Sequence, residues 1–245
     1  MTAATADRLD SRPTAAPWGV VPAAGVAASA VLLFAFEQRL IGYIVLAVSI
    51  AVAFAAGRAL AKDLLLIGIG MSIVATVSVE ADISWGNIAL LGVVLTAAVV
   101  VPAVIDRYVY KTHTIRFPVG HRPWTTLEKS YLGIAVVVAY FLLPFYFITS
   151  GVYENWPAVR EWHELLRLFV GVNAVGIWDE LFFVCVIFTL LSRHFPFWIA
   201  SGLMAVIFVS FLWELGYQSW GPAFTIPFAF FQAFLFTKTK SLPYV

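Results

Sequence analysis

Residues 165–191 read LLRLFVGVNAVGIWDELFFVCVIFTLL, an apolar run broken near its middle by two adjacent carboxylates, Asp179 and Glu180. The nearest basic residues are Arg167 and Arg193, with twenty-five residues between them, about what a helix needs to cross a bilayer. A charge at mid-bilayer costs several kcal/mol on insertion scales, so intramembrane acids face a bundle interior and serve a purpose there. The bland alternative is a pair that only holds helices together through hydrogen bonds.

Working outward, the whole chain has the same character. Hydrophobic residues make up 62% of its 245 residues and charged residues 12%, with a mean hydropathy of +0.91, which excludes an ordinary soluble domain. Eight apolar stretches are expected to span: roughly 20–36, 40–56, 64–79, 85–105, 130–148, 165–191, 197–215 and 222–237. The expected fold is therefore an all-α, polytopic transmembrane bundle. Arg58, Lys62 and Asp63 are read as a loop between the second and third spans. Residues 1–17 are small, polar and mixed in charge, and read as a disordered cytoplasmic tail instead of a cleaved signal.

With the N-terminus in the cytoplasm and eight crossings, one side collects twelve basic residues, among them Arg107, Lys111, Arg116 and Lys240. The other side holds only Arg39, Arg160 and Arg167, beside Glu80, Asp82, Glu154, Glu161 and Glu164. That asymmetry follows the positive-inside rule and supports an even number of spans up to Lys238; the lack of a targeting signal in the sequence favours a multi-pass protein of a bacterial cytoplasmic membrane. The chain divides at a basic loop, 106–129, into a four-helix half, 18–105, and an aromatic-rich half, 130–245. Of twenty-one phenylalanines only Phe34, Phe36, Phe54 and Phe117 precede residue 129. No internal repeat relates the halves, which counts against an inverted-repeat transporter.

Polar groups in the second half fall at helical spacing. Asn173, Gly176 and Glu180 share one face, and Asp179 points about 100° away toward Gly176 and Phe183. Ser210 and Glu214 share a face of the next span, and Thr225 and Gln232 are seven apart in the last. Three consecutive helices with polar stripes are expected to turn them toward one another. Gly216 and the Gly221-Pro222 step suit a helix break between the last two. Cys185, the single cysteine, reads as a buried thiol. His113, His121, His163 and His194 all lie outside the apolar spans. Neither an H-E-x-x-H, a G-x-S-x-G elbow nor a phosphate loop is present, so no metal or cofactor is expected. A net charge of +1 without a basic–aromatic cluster argues against nucleic acid as a partner. The expected partners are the lipid bilayer and a membrane-anchored peptide or another protein's transmembrane helix.

The second half resembles the CAAX protease and bacteriocin-processing (CPBP, or Abi) family of intramembrane peptidases. That family carries Glu-Glu-x-x-x-Arg in one helix, Phe-x-x-x-His about thirty-five residues on, and His-x-x-x-Asn/Asp in a final helix. W-D-E-L-F-F-V (178–184), I-F-V-S-F-L-W-E-L-G (207–216) and F-Q-A-F-L-F-T-K-T-K-S-L-P-Y-V (231–245) stand in the corresponding order. Asp179 replaces the first glutamate, Val184 stands where the arginine belongs, and Trp213 and Glu214 occupy the place of the histidine. An apolar continuation begins at Leu242, so the family's final helix, a ninth span, would lie past Val245.

What the resemblance implies is an intramembrane glutamic-type endopeptidase for prenylated or membrane-anchored peptides. Glu180 would be its general base and Asp179 the partner sharing a proton. Asn173, Glu214, Ser210 and Gln232 are supporting candidates. The missing arginine and histidine motivate an alternative, an inactive member that serves as a membrane-embedded binding or partner subunit. A further alternative is a proton-coupled transporter using Asp179, Glu180 and Glu214 as a relay.

Overall fold

The computed structural model describes residues 16–118 and 126–242. Residues 1–15 of the tail expected at 1–17, His121 and Arg122, and everything past Leu242 lie outside the described residues. Within them the chain is helical, with no strand. Eight helices follow in order: α1 (Pro17–Ala35), α2 (Arg39–Ala56), α3 (Arg58–Val74), α4 (Trp85–Tyr110), α5 (Thr126–Ser150), α6 (Trp162–Ser192), α7 (Phe197–Glu214) and α8 (Pro222–Thr239). Without water to bond exposed amides, only such locally satisfied backbone can cross hydrocarbon. Six of the eight, all but α3 and α8, are long and apolar enough to do so. The protein is a polytopic helical bundle.

One sequence expectation is corrected here. Arg58, Lys62 and Asp63 are not a loop, because α2 and α3 are joined by Gly57 alone and α3 starts at Arg58. The reason is tertiary. Asp63 is buried, and Arg193 Nη1 donates to both its oxygens at 3.1 and 2.8 Å, while His194 Nε2 donates to Oδ2 at 2.7 Å. A charged residue with partners across the bundle can sit inside a helix that solvation would otherwise have ended.

α3 is also the centre of the bundle, with Leu60, Leu64, Leu66, Ile67 and Met71 sealed from the surroundings. It touches α2, α4 and the end of α6. At Gly70 the absent side chain lets the Phe182 ring reach the α3 backbone, where a Cβ would collide with it. α1 packs along α2 and α7, so the two halves of the chain share one core. Trp178, Phe182, Phe183, Phe208 and Phe211 form an aromatic cluster in that core, with ring centroids 4.9–5.6 Å apart, in the offset and edge-on arrangements that ring quadrupoles favour.

α6 changes its winding where its acids sit. From Glu180 to Phe188 it is a π-helix, and the ordinary α-helix resumes at Thr189. The Thr189 hydroxyl donates to the Val184 carbonyl five residues back, at 3.1 Å. Widened turns rotate every later side chain away from the position that a 3.6-residue period assigns it.

Candidate binding site beside Asp179

A cavity of about 570 Å³ lies between α4 and α6. Both walls follow from helical periodicity. Ile88, Leu91, Gly92, Leu95, Thr96 and Val99 line it from α4, and Leu168, Gly171, Val172, Val175, Gly176 and Asp179 from α6. Each set runs i, i+3, i+4, i+7, i+8, i+11, one face of a helix. At Gly92, Gly171 and Gly176 a Cβ would meet nothing within 4 Å, so these glycines widen the space. The two helices are tied together by the Trp178 indole, whose Nε1 donates to the Leu95 carbonyl at 2.7 Å.

The inner end is closed by the turn after α7. Gly216 takes φ +110°, a conformation that L side chains rarely adopt, and the chain folds back so that the Tyr217 amide donates to the Leu212 carbonyl at 2.9 Å. This break is the one the sequence suggested at Gly216. It brings Leu215 and Tyr217 into the cavity wall beside Trp156. Trp156 and Tyr217 meet edge to face at 5.6 Å, and Tyr217 stacks on Tyr146 at 6.3 Å. Burial, followed by the charges of Asp179 and Tyr146, pushes the Tyr217 phenol up to about 12, so it stays protonated and able to donate. Glu80, Asp82 and Arg167 lie at the other end of the lining.

Asp179 and Glu180 are separated by this geometry. Asp179 lines the cavity and its Oδ1 is buried without a hydrogen-bond partner. Glu180 is half-buried but does not line the cavity. Asn173 is exposed and its amide donates to the Phe169 carbonyl of its own helix at 2.7 Å. Ser210 likewise donates to Val206 at 2.7 Å, and Thr225 to Gly221 at 3.1 Å. Gln232 is buried with its Oε1 unpartnered. The Glu214 Oε1 accepts the Val79 amide at 3.1 Å, and its charged neighbours are Glu37, Arg39 and Glu80. The polar stripes of α7 and α8 thus use up their hydroxyls inside their own helices, which no periodicity argument foresees.

Three residues that were not among the candidate site residues read from the sequence line the cavity: Trp156, Arg167 and Tyr217. Trp156 Nε1 and Arg167 Nε, like Asp179 Oδ1, are buried without partners. Arg167 carried a signal, being a lone cation inside an apolar run; Trp156 and Tyr217 sit in turns and carried none. Val184 is fully buried behind the site. Of the histidines, His113 and His163 are exposed and His194 is held by Asp63. Among the described residues no three His, Cys, Asp or Glu side chains come together as a metal site would require.

The site and fold define a multi-pass, helical membrane protein with an acid at the inner end of an apolar cavity. Residues 161–245, about a third of the chain, match the family model of the type II CAAX prenyl endopeptidases, Rce1-like. This region is CAAX-protease-like, and it holds α6, the Gly216 turn and the aromatic cluster. No curated protein and no solved structure matches the chain.

Proposed function

We propose that this CAAX-protease-like protein holds an apolar, membrane-anchored chain in the α4–α6 cavity, as a binding or partner subunit that does not cut what it holds. The observation that carries this reading is the cavity itself: it is apolar along both helical walls, and among the described residues that line it no histidine or lysine stands with Asp179 at its inner end. A peptidase must stabilise an oxyanion as well as activate water. Arg167, the one cation in the lining, stands twelve residues along α6, about 18 Å from Asp179 at 1.5 Å per residue. The membrane we assign is a bacterial cytoplasmic one, with the Arg107–Arg116 end facing the cytoplasm, supported by the distribution of basic residues.

A second reading is favoured by one observation, the unpartnered Oδ1 of Asp179. A carboxyl oxygen left without a partner beside a cavity can take a proton from a water admitted there. Hydrolysis would then use Asp179 as base and leave Glu180 outside the reaction.

The test is reconstitution of the full chain in vesicles with a farnesylated CAAX-type peptide, following binding and product together. The expected result is binding without product. Gly176→Phe, which fills the cavity where a side chain meets no atoms, should weaken binding at least tenfold and leave the fold intact. Product that disappears in Asp179→Asn but persists in Glu180→Gln would replace this reading with the second. Absence of binding by the unaltered chain would overturn both.

A further inference from the structure

A second cavity, about 540 Å³, opens at the far end of α4, lined by Arg107, His113 and Arg116 with Ala103, Ile115 and Phe117. The segment that carries these cations is built, not trailing. Asp106 is fully buried and accepts from the Thr112 hydroxyl and, at 3.0 Å, from the Ile115 amide. Its carboxylate is therefore directed inward. The Arg116 Nε donates to the His113 carbonyl at 3.1 Å, which orients the guanidinium. At the end of the segment the Leu242 amide donates to the Pro118 carbonyl at 3.0 Å.

The cations are not spent on carboxylates: among the described residues, neither Arg107 nor Arg116 forms an ion pair. Arg107 lies 5.9 Å over the Tyr108 ring, and among the described residues the bond given to Arg116 is that of its Nε, which leaves the terminal nitrogens to a ligand. Val104, Tyr108 and Val109, on the same end of α4, are exposed apolar surface.

We propose that this pocket binds the phosphate of a membrane lipid whose headgroup is anionic overall. Two guanidinium forks match phosphate oxygens with paired N–H donors. Basic pockets at the ends of membrane helices collect anionic headgroups, and Val104 and Val109 would lie along the acyl chains. The carbonyl end of α4 opposes an anion, so the affinity rests on Arg107 and Arg116. A lipid is favoured over free phosphate because apolar side chains border the cations on one helix.

The experiment is native mass spectrometry of the full chain in detergent, with phosphatidic acid competing against phosphatidylcholine of the same acyl chains. The unaltered protein should retain phosphatidic acid preferentially. The double variant Arg107→Gln, Arg116→Gln should bind it roughly thirty-fold more weakly, since each surface cation contributes about a factor of five. Equal retention by the two proteins overturns the proposal. Should the variant melt earlier, rising salt on the unaltered protein decides: phosphatidic acid should be lost selectively as the charges are screened, and an unchanged preference overturns it. Inorganic phosphate alone displacing the lipid at equal concentration would overturn the assignment to a lipid.

Discussion

Asp63 and Asp179 are both aspartates inside a membrane bundle, and they are treated in opposite ways. Asp63 receives Arg193 and His194 from the α6–α7 corner on both its oxygens. Asp179 keeps a buried oxygen without a partner at the inner end of a cavity. A satisfied buried charge is a fastener, holding α3 to a corner 130 residues away in sequence. A buried carboxyl oxygen without a protein partner is destabilising, and a ligand that bonds to it recovers that cost.

Breaking the fastener should have the largest effect. Asp63→Ala leaves a buried histidine and a guanidinium without their acceptor, and should lower stability by about 3 kcal/mol, read as a fall in melting temperature of the detergent-solubilised protein. A loss too small to measure would mean that Asp63 is solvated in place. Asp179→Leu should move the other way. Replacing a buried, unpartnered carboxyl by an apolar group should raise stability by about 1 kcal/mol, while changing what the cavity retains. A destabilised Asp179→Leu would place Asp179 in the same class as Asp63. The smallest effect belongs to Asn173→Ala, whose amide is exposed and bonded only to its own helix. Stability should change by less than about 0.5 kcal/mol and binding not at all; a binding defect would mean that α6 turns a different face to the cavity.

These contrasts also show what could be read beforehand. The helices of the second half, the break at Gly216, and the acidic pair within α6 were legible in residues 165–222. Which of the two acids faces the cavity was not. Neighbouring residues on a helix point 100° apart, so only the identity of the packed neighbours separates them, and those are α4 and the Tyr217 turn. The reading favoured Glu180, and the cavity takes Asp179. The charges at Arg58, Lys62 and Asp63 looked like a loop because Arg193 and His194, which hold Asp63, lie more than a hundred residues away. The π-wound stretch 180–188 left no periodic trace in a segment that is apolar on every side. Glu214 was grouped with the acids of α6, yet its hydrogen bond goes to the backbone of Val79.

By itself the sequence determined that this is a helical membrane protein, where the eight helices of the described residues run to within a few residues, and which segment carries its intramembrane acids. Hydrocarbon forces each backbone amide to bond within its own segment, so run length and polarity are enough for those conclusions. Tertiary structure alone decided which acid is fastened, which keeps a buried oxygen without a partner, and where the cavity lies. A side chain's partner is chosen among elements far apart in the chain, and no local pattern records that choice.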